Sequence, residues 1–471
     1  MDFNKLYING KWVVSHSNDT IEVENPADMS IIAKVPRGNE KDVNEAVEAA
    51  SQAFEGWRTT PSEKRMEYLQ RALEDFSAKK DEILDLEVKE LGAPPAFAMD
   101  SHVIGPIKRY ENFMKIAKDF KYEEELNHAK VLKEPVGVVA CLTPWNYPLG
   151  QVIQKVIPAL LTGNTVVLKP SQNTPLTAYL LAQSFDSAGL PAGVFNLITG
   201  AGSEVGNIMA SHPKVDMVSF TGSTSGGKEV AKLAIDSVKK ISLELGGKSA
   251  NVILEGADYK AAVERGLSST FYNTGQTCAA LTRMIVPKDD LKEIEQLIIE
   301  ESKNFKVGSP DEQDTDIGPL SSKKQFDKVK KYLEVGLEEG AKLLIGEIPE
   351  NHSEGYYVKP AVFTDVKNSM RIAQEEIFGP VMVIIPYDDV DEAVRIANDS
   401  IYGLSGAVFG PQEKAEEVAK KIRTGSVYVN SGRFDALAPF GGYKQSGIGR
   451  EGGYYGIEEF LESKSYFAKQ K

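Results

Sequence analysis

Four short runs, Val136-Gly137-Val138-Val139-Ala140, Thr165-Val166-Val167-Leu168, Val194-Phe195-Asn196-Leu197-Ile198 and Met217-Val218-Ser219-Phe220, carry almost no polar alternation. Strands of that kind must be covered on both faces, and helix-length connections between them make the pairing parallel. Helices are expected near 150–161, 175–188, 203–211 and 226–236, between or beside these strands. A second alternating series from about 250 to 430 predicts a second α/β domain. A chain of 471 residues has room for both.

Outside this series the local signals are simpler. Tyr7-Ile8-Asn9-Gly10-Lys11-Trp12-Val13 reads as a hairpin, because Asn-Gly supplies the positive φ angles of a type I′ turn. Val43, Ala46, Val47, Ala50 and Phe54 share one helical face with Asn39 as its N-cap. A further helix is expected with Pro61 at its first position and Met66, Leu69, Leu73 and Phe76 on its apolar face. Gly92-Ala93-Pro94-Pro95 ends the helical run, and residues 121–135 read as a hairpin projecting from the body.

Charge and cysteine content exclude several function classes. The net charge of −14 argues against nucleic acid or an anionic membrane as the main partner, since a polyanion needs a basic surface. No apolar run reaches the roughly 18 residues of a membrane span. The N-terminus has no apolar signal core, and two cysteines make no disulfide framework, so a cytoplasmic location is expected. Five scattered histidines show no HExxH or Cys/His ligand spacing, so no metal is expected.

Ligands of open parallel sheets sit beyond the carboxyl ends of the strands. Phe220-Thr221-Gly222-Ser223-Thr224-Ser225-Gly226-Gly227 follows one strand and opens a helix, whose free N–H groups suit a phosphate. Gly200-Ala201-Gly202-Ser203-Glu204-Val205-Gly206 is one residue too long for a dinucleotide fingerprint and reads as a turn. Lys169 stands at another strand end, in Leu168-Lys169-Pro170-Ser171-Gln172-Asn173, and Thr143-Pro144-Trp145-Asn146-Tyr147-Pro148 follows a third. Cys141 lies inside an apolar strand and reads as packing. Cys278 instead lies in the small, polar stretch Asn273-Thr274-Gly275-Gln276-Thr277-Cys278-Ala279-Ala280, where structural and nucleophilic roles are about equally open. Glu244, in Leu243-Glu244-Leu245-Gly246-Gly247-Lys248, is a candidate base, though a lone glutamate is more often a surface charge.

Together with Glu375-Glu376-Ile377-Phe378-Gly379-Pro380-Val381 and Pro439-Phe440-Gly441-Gly442-Tyr443-Lys444-Gln445-Ser446-Gly447, these segments resemble the NAD(P)-dependent aldehyde dehydrogenase superfamily across essentially the whole chain. The resemblance implies an α/β fold with a Rossmann-type cofactor domain (1–115 and 135–246), an α/β catalytic domain (247–446) and a small β oligomerisation arm (116–134 and 447–471). It implies oxidation of a small-molecule aldehyde to a carboxylic acid, with water rather than coenzyme A cleaving the thioester. Cys278 corresponds to the nucleophile, Glu244 to the general base, and Asn146 with the Cys278 N–H to the oxyanion hole. Trp145, Lys169, Ser171 and Gln172 correspond to residues around the adenosine ribose and pyrophosphate of NAD, with Gly222 and Ser223 under the phosphates and Leu245 beside the cofactor. Glu376 corresponds to the group holding the nicotinamide ribose, and Phe378 flanks the ring.

Gln172 departs from the glutamate of strictly NAD-dependent members, so NADP is expected to be tolerated as well. Tyr147, Gln151, Gln154 and Phe434, with Arg433 beside it, are expected around the substrate tunnel. The segment Ser463-Lys464-Ser465-Tyr466-Phe467 reads as a strand that pairs with another subunit, and a homo-oligomer, more readily a tetramer than a dimer, follows. Three rival readings are weighed: a coenzyme A-acylating relative usually lacks the glutamate base, a cysteine hydrolase needs a histidine partner, and a non-catalytic member would have no reason to keep Cys278, Glu244 and Asn146 together.

Overall fold

A computed structural model describes residues 3–350 and 354–467. The expected parallel series forms the middle of an eight-stranded sheet, in the order Lys240–Glu244, Met217–Thr221, Val138–Leu142, Thr165–Lys169, Phe195–Leu197. The hairpin of Leu6–Ile8 and Lys11–Val13 extends one edge antiparallel, with Asn9 and Gly10 at φ of 52° and 70° as a type I′ turn requires. Gly447–Ile448 extends the other edge against Leu243 and Glu244. The expected arm boundary is therefore corrected here: these two residues belong to the first sheet. The helices Pro148–Leu161, Leu176–Ser187 and Thr224–Ile235 connect the strands, and Pro148–Leu161 is buried along nearly its whole length.

Two local expectations shift. The first strand starts at Val138 and runs through Cys141 to Leu142. Gly137, at φ 141°, turns the chain so that Asp216 accepts the Val138 N–H at 2.8 Å; a Cβ there would meet the Asp216 carboxylate at 2.0 Å. Pro61 is the N-cap residue of Ser62–Ser77 rather than its first helical residue, because its ψ of 143° is extended. Asn39 does cap Glu40–Arg58, in a reciprocal capping box with Asp42. Near 203–211 the chain makes a π-helical turn, Gly202–Gly206, before the short helix Asn207–Ser211.

The second series forms a seven-stranded sheet, in the order Lys342–Ile345, Ala361–Thr364, Val381–Tyr387, Arg283–Pro287, Ala250–Ile253, Ser405–Phe409, Ser426–Val429. Only Lys342–Ile345 runs antiparallel. Residues 121–135 fold as Glu123–Glu125 and Lys130–Pro135, and Leu461–Tyr466 pairs along the second of these to complete a three-stranded sheet. The chain leaves the first sheet at Glu244 and enters the second at Ala250. The carboxyl ends of the first parallel strands thus adjoin the amino ends of the second set, where the loops carrying Cys278 and Glu376 precede Arg283–Pro287 and Val381–Tyr387.

Candidate active site

Asn146, Lys169, Gly222 and Glu244 all stand at or just past carboxyl ends of neighbouring strands in the first sheet. Hydrogen bonds across the gap fix the two halves. The Asn146 Nδ2 donates to the Gln276 carbonyl at 2.9 Å, and the Asn273 Nδ2 donates to the Asn146 carbonyl at 2.8 Å. The hydroxyls of Tyr147 and Thr277 lie 2.9 Å apart. Asn146 is 5% exposed, and its amide has a second N–H donor beyond the one given to Gln276.

The loop before Cys278 is held in a costly shape. Asn273 and Thr274 both sit at φ 54°, followed by Gly275 at φ 70°. A left-handed threonine is a strained conformation, and such strain persists where surrounding contacts over-determine it. The contacts are present: Thr274 Oγ1 donates to Gly318 O at 3.0 Å, and Gln276 Oε1 accepts the Ser321 N–H at 2.9 Å. A Cβ on Gly275 would lie 2.1 Å from the Gly379 backbone, so the turn tolerates no side chain there.

Cys278 is partly exposed. Burial, then the nearby charges of Glu244 and Glu376, push its thiol up to about 12, while its own N–H and that of Ala279 favour the thiolate. Glu244 is 3% exposed, and neither of its oxygens has a hydrogen-bond partner among the described residues. Burial, followed by repulsion from Glu451, holds it well above the ordinary carboxylate range, against the opposing pull of Lys155 and Arg450. Behind it Lys155 pairs with Glu451 and donates to Ser219 Oγ at 3.2 Å. The carboxyl faces Gly441, where a Cβ would come within 2.5 Å of Glu244 Oε1.

The cofactor candidates divide by position. Lys169 is 6% exposed, and its ammonium meets only the carbonyls of Pro170 and Gly200, at 2.8 and 3.3 Å. Burial lowers it to about 8. A buried cation with no carboxylate partner among the described residues suits hydroxyls or phosphate of a ligand. Ser171 is partly buried and Gln172 exposed on the loop that follows. Ser223 caps Thr224–Ile235 by accepting the Gly226 N–H at 3.1 Å, next to Gly222 at the strand end. Leu245 packs over Gly227.

Glu376 Oε1 accepts the Gly247 N–H at 2.9 Å, and a Cβ on Gly246 would meet the same carboxylate at 2.3 Å. Phe378 sits at φ 63°, its carbonyl accepting from Gln325 at 2.6 Å. The Trp145 ring stands edge-on to that of Phe378 at 5.4 Å. Of the tunnel candidates, Gln154 is buried, Tyr147 and Gln151 are half-buried, and Phe434 is 56% exposed beside the exposed Arg433.

Sequence reasoning missed Lys155 and Glu451, as well as Asn273. Lys155 left one trace, a lone charge in an otherwise apolar helix. Glu451 left none, because its partner is 296 residues away.

The sequence profile described as "Aldehyde dehydrogenase family" matches residues 12–466. A 3-succinoylsemialdehyde-pyridine dehydrogenase from a Pseudomonas species is 47% identical over 468 residues, covering 98% of each chain. The structure of aldehyde dehydrogenase C from Pseudomonas syringae, a mutant in complex with NAD+ and octanal, superposes with a TM-score of 0.97 at 43% identity, over 99% of this chain and 96% of that one. A Mycobacterium tuberculosis aldehyde dehydrogenase complexed with NAD+ gives 0.97 at 41% identity, over 100% and 99%. One profile thus runs through both sheets and the arm, and the chain belongs to the aldehyde dehydrogenase family.

Proposed function

We infer that the protein oxidises an aldehyde to a carboxylic acid with NAD+ as hydride acceptor. What supports the reading is the hydrogen bond that ties the Asn146 amide to the loop carrying Cys278, together with the charges of Glu244 and Glu376 that help to raise its thiol. Cys278 Sγ attacks the carbonyl carbon while Glu244 takes the thiol proton. Asn146 Nδ2 and the Cys278 N–H stabilise the oxyanion, an effect worth about 10²–10³ in rate per donor. NAD+, when bound, supplies the hydride acceptor. Lys169, Ser171, Gln172, Gly222 and Ser223 would hold its adenosine and phosphate portion, and Leu245, Glu376, Phe378 and Trp145 the nicotinamide end. Hydride loss leaves a thioester on Cys278; Glu244, once it has given the thiol proton to solvent, takes a proton from the water that attacks the acyl carbon, and the C–S bond breaks to release the acid. A generic aldehyde with NAD+ should give reduced cofactor and free acid; release only in the presence of coenzyme A would overturn the water-hydrolysing assignment.

Gln172 accepts ribose hydroxyls less well than a carboxylate and repels nothing. The ratio of kcat/KM for NAD+ over NADP+ is therefore expected below about 100, and Gln172→Glu should raise it at least about tenfold through repulsion of the 2′-phosphate. A wild-type preference of several orders of magnitude would remove Gln172 as a relaxing element.

Tyr147, Gln151, Gln154 and Phe434 line the aldehyde's entry. Gln151 Oε1 is buried without a hydrogen-bond partner among the described residues, which suits a substrate with a polar group beyond the aldehyde. The chain works in the cytoplasm, where its two free cysteines stay reduced. No helix of the described residues is long and apolar enough to cross a membrane.

The arm is the subunit contact. Leu461–Tyr466 is an edge strand, exposed from Glu462 onward, and a second copy is the natural partner for its free edge. Light scattering should return a homotetramer; a particle of 51.6 kDa would refute the arm's role.

A further inference from the structure

Three ionisable side chains with no part in this chemistry are buried together behind the nucleophile loop. Glu87 and Glu90 close the helix Lys80–Leu91 with no exposed surface, and His102 is 1% exposed. The His102 Nδ1 lies 3.5 Å from Glu87 Oε2. Glu90 Oε2 accepts the Leu176 N–H at 2.9 Å, at the start of Leu176–Ser187, and the Leu149 N–H, at the start of Pro148–Leu161, faces Glu87. Glu90 therefore serves a helix N-terminus, whereas both Glu87 oxygens are buried without a hydrogen-bond partner among the described residues. Burial and the neighbouring carboxyl raise Glu87 well above its ordinary range, burial raises Glu90 to about 8, and burial lowers His102 to about 3.

His102 belongs to a π-helical turn, Met99–Ile104, spliced between the helices Pro95–Ala98 and Gly105–Asp119. Such turns give poorer backbone geometry and recur at functional sites. This one lays the imidazole flat on Tyr147, with centroids 4.9 Å apart and planes 14° from parallel, while Phe97 meets it edge-on at 5.5 Å. Tyr147 in turn reaches Thr277, the residue before Cys278. The Asn273 side chain, which ties Asn146 to Gln276, is near enough to the imidazole to influence its protonation. The ring thus touches the tyrosine that reaches the residue before the sulfur, while neither of its nitrogens has a hydrogen-bond partner among the described residues.

We propose that His102 is a positioning residue of the aldehyde site: backed by the Glu87–Glu90 pair, its ring holds Tyr147 in place beside Asn273, and through Tyr147 sets Cys278 against the Asn146 amide. This rests on the roles given to Cys278 and Asn146. An apolar ring of similar size would keep the stack on Tyr147 but offer nothing to Asn273 or Glu87.

The full-length enzyme tests it through His102→Phe and His102→Gln. For His102→Phe, kcat is expected to fall about ten- to hundredfold, the range for a small misplacement of reacting groups. KM for NAD+ should stay within about twofold, and the pH profile of Cys278 alkylation by iodoacetamide should shift. His102→Gln, which restores a polar amide, should recover kcat to within about threefold of wild type and carries the test if the phenylalanine variant does not fold. Wild-type kcat and an unmoved alkylation profile in a folded variant, even with a lowered Tm, would overturn the proposal. If Cys278→Ser keeps turning over aldehyde, the parent assignment fails instead.

Discussion

Cys278→Ser should lower aldehyde-dependent reduction of NAD+ by at least about 10³-fold while leaving cofactor binding within a fewfold of wild type. The change is nearly isosteric, and the shape of the loop does not depend on the sulfur. The turn is fixed by Thr274 on Gly318, by Gln276 on Ser321, and by Gly275 against Gly379. A thiol that burial and two carboxylates push up to about 12 is already hard to ionise, and a hydroxyl is harder by several further units. The oxyanion donors can still bind the carbonyl oxygen, but nothing attacks the carbon. Absorbance of reduced cofactor measures turnover, and titration calorimetry with NAD+ measures the retained site. A serine variant keeping a tenth of the wild-type rate would show that sulfur is not the nucleophile.

The backbone of this molecule was largely written in short-range patterns. Apolar runs such as Thr165–Lys169 have few alternatives to a buried parallel strand, and Asn39 and Asn9-Gly10 act on their own neighbours. The segments holding Cys278, Glu244 and Asn146 were legible through their resemblance to family blocks; composition and spacing alone left each of them ambiguous. What escaped depends on long-range contact. Nothing near Glu451 announces Lys155, and nothing near His102 announces that Tyr147 lies on its face. Trp145 was located by its loop, but nothing near it announces that its ring meets Phe378, on the loop before Val381–Tyr387. The strand at Val138 began late because Asp216, distant in sequence, fills the space beside Gly137.

Glu244→Gln should make the protein more stable and much slower at once. In the folded chain this carboxyl ionises well above its ordinary pKa, chiefly because it is buried. Below about pH 4 it is protonated in both folded and unfolded states, so its burial costs no ionisation energy. As pH rises past the unfolded value, only the unfolded chain gives up the proton, and stability falls by at most about 1.4 kcal/mol per pH unit until the folded group ionises too. Glutamine never titrates. The variant's Tm should therefore match wild type near pH 4 and exceed it at pH 8, with the gap opening between. Catalysis moves the other way, because an amide takes a proton neither from the thiol nor from water, and loss of a general base typically costs about 10²–10⁴ in rate. With the thiol pushed so high, the base is needed for attack as well as for thioester hydrolysis, so the pre-steady-state burst of reduced cofactor should slow along with the steady state. In the wild type only the ionised carboxyl can act, and kcat/KM should climb as pH rises through its elevated pKa; in the variant that limb should disappear. A normal burst followed by a slow steady state would confine Glu244 to the water step, and an unchanged rate in both phases would remove it from the mechanism. A glutamine that stabilised the fold at pH 8 without slowing the enzyme would leave this buried, unpartnered carboxyl with a cost and no return.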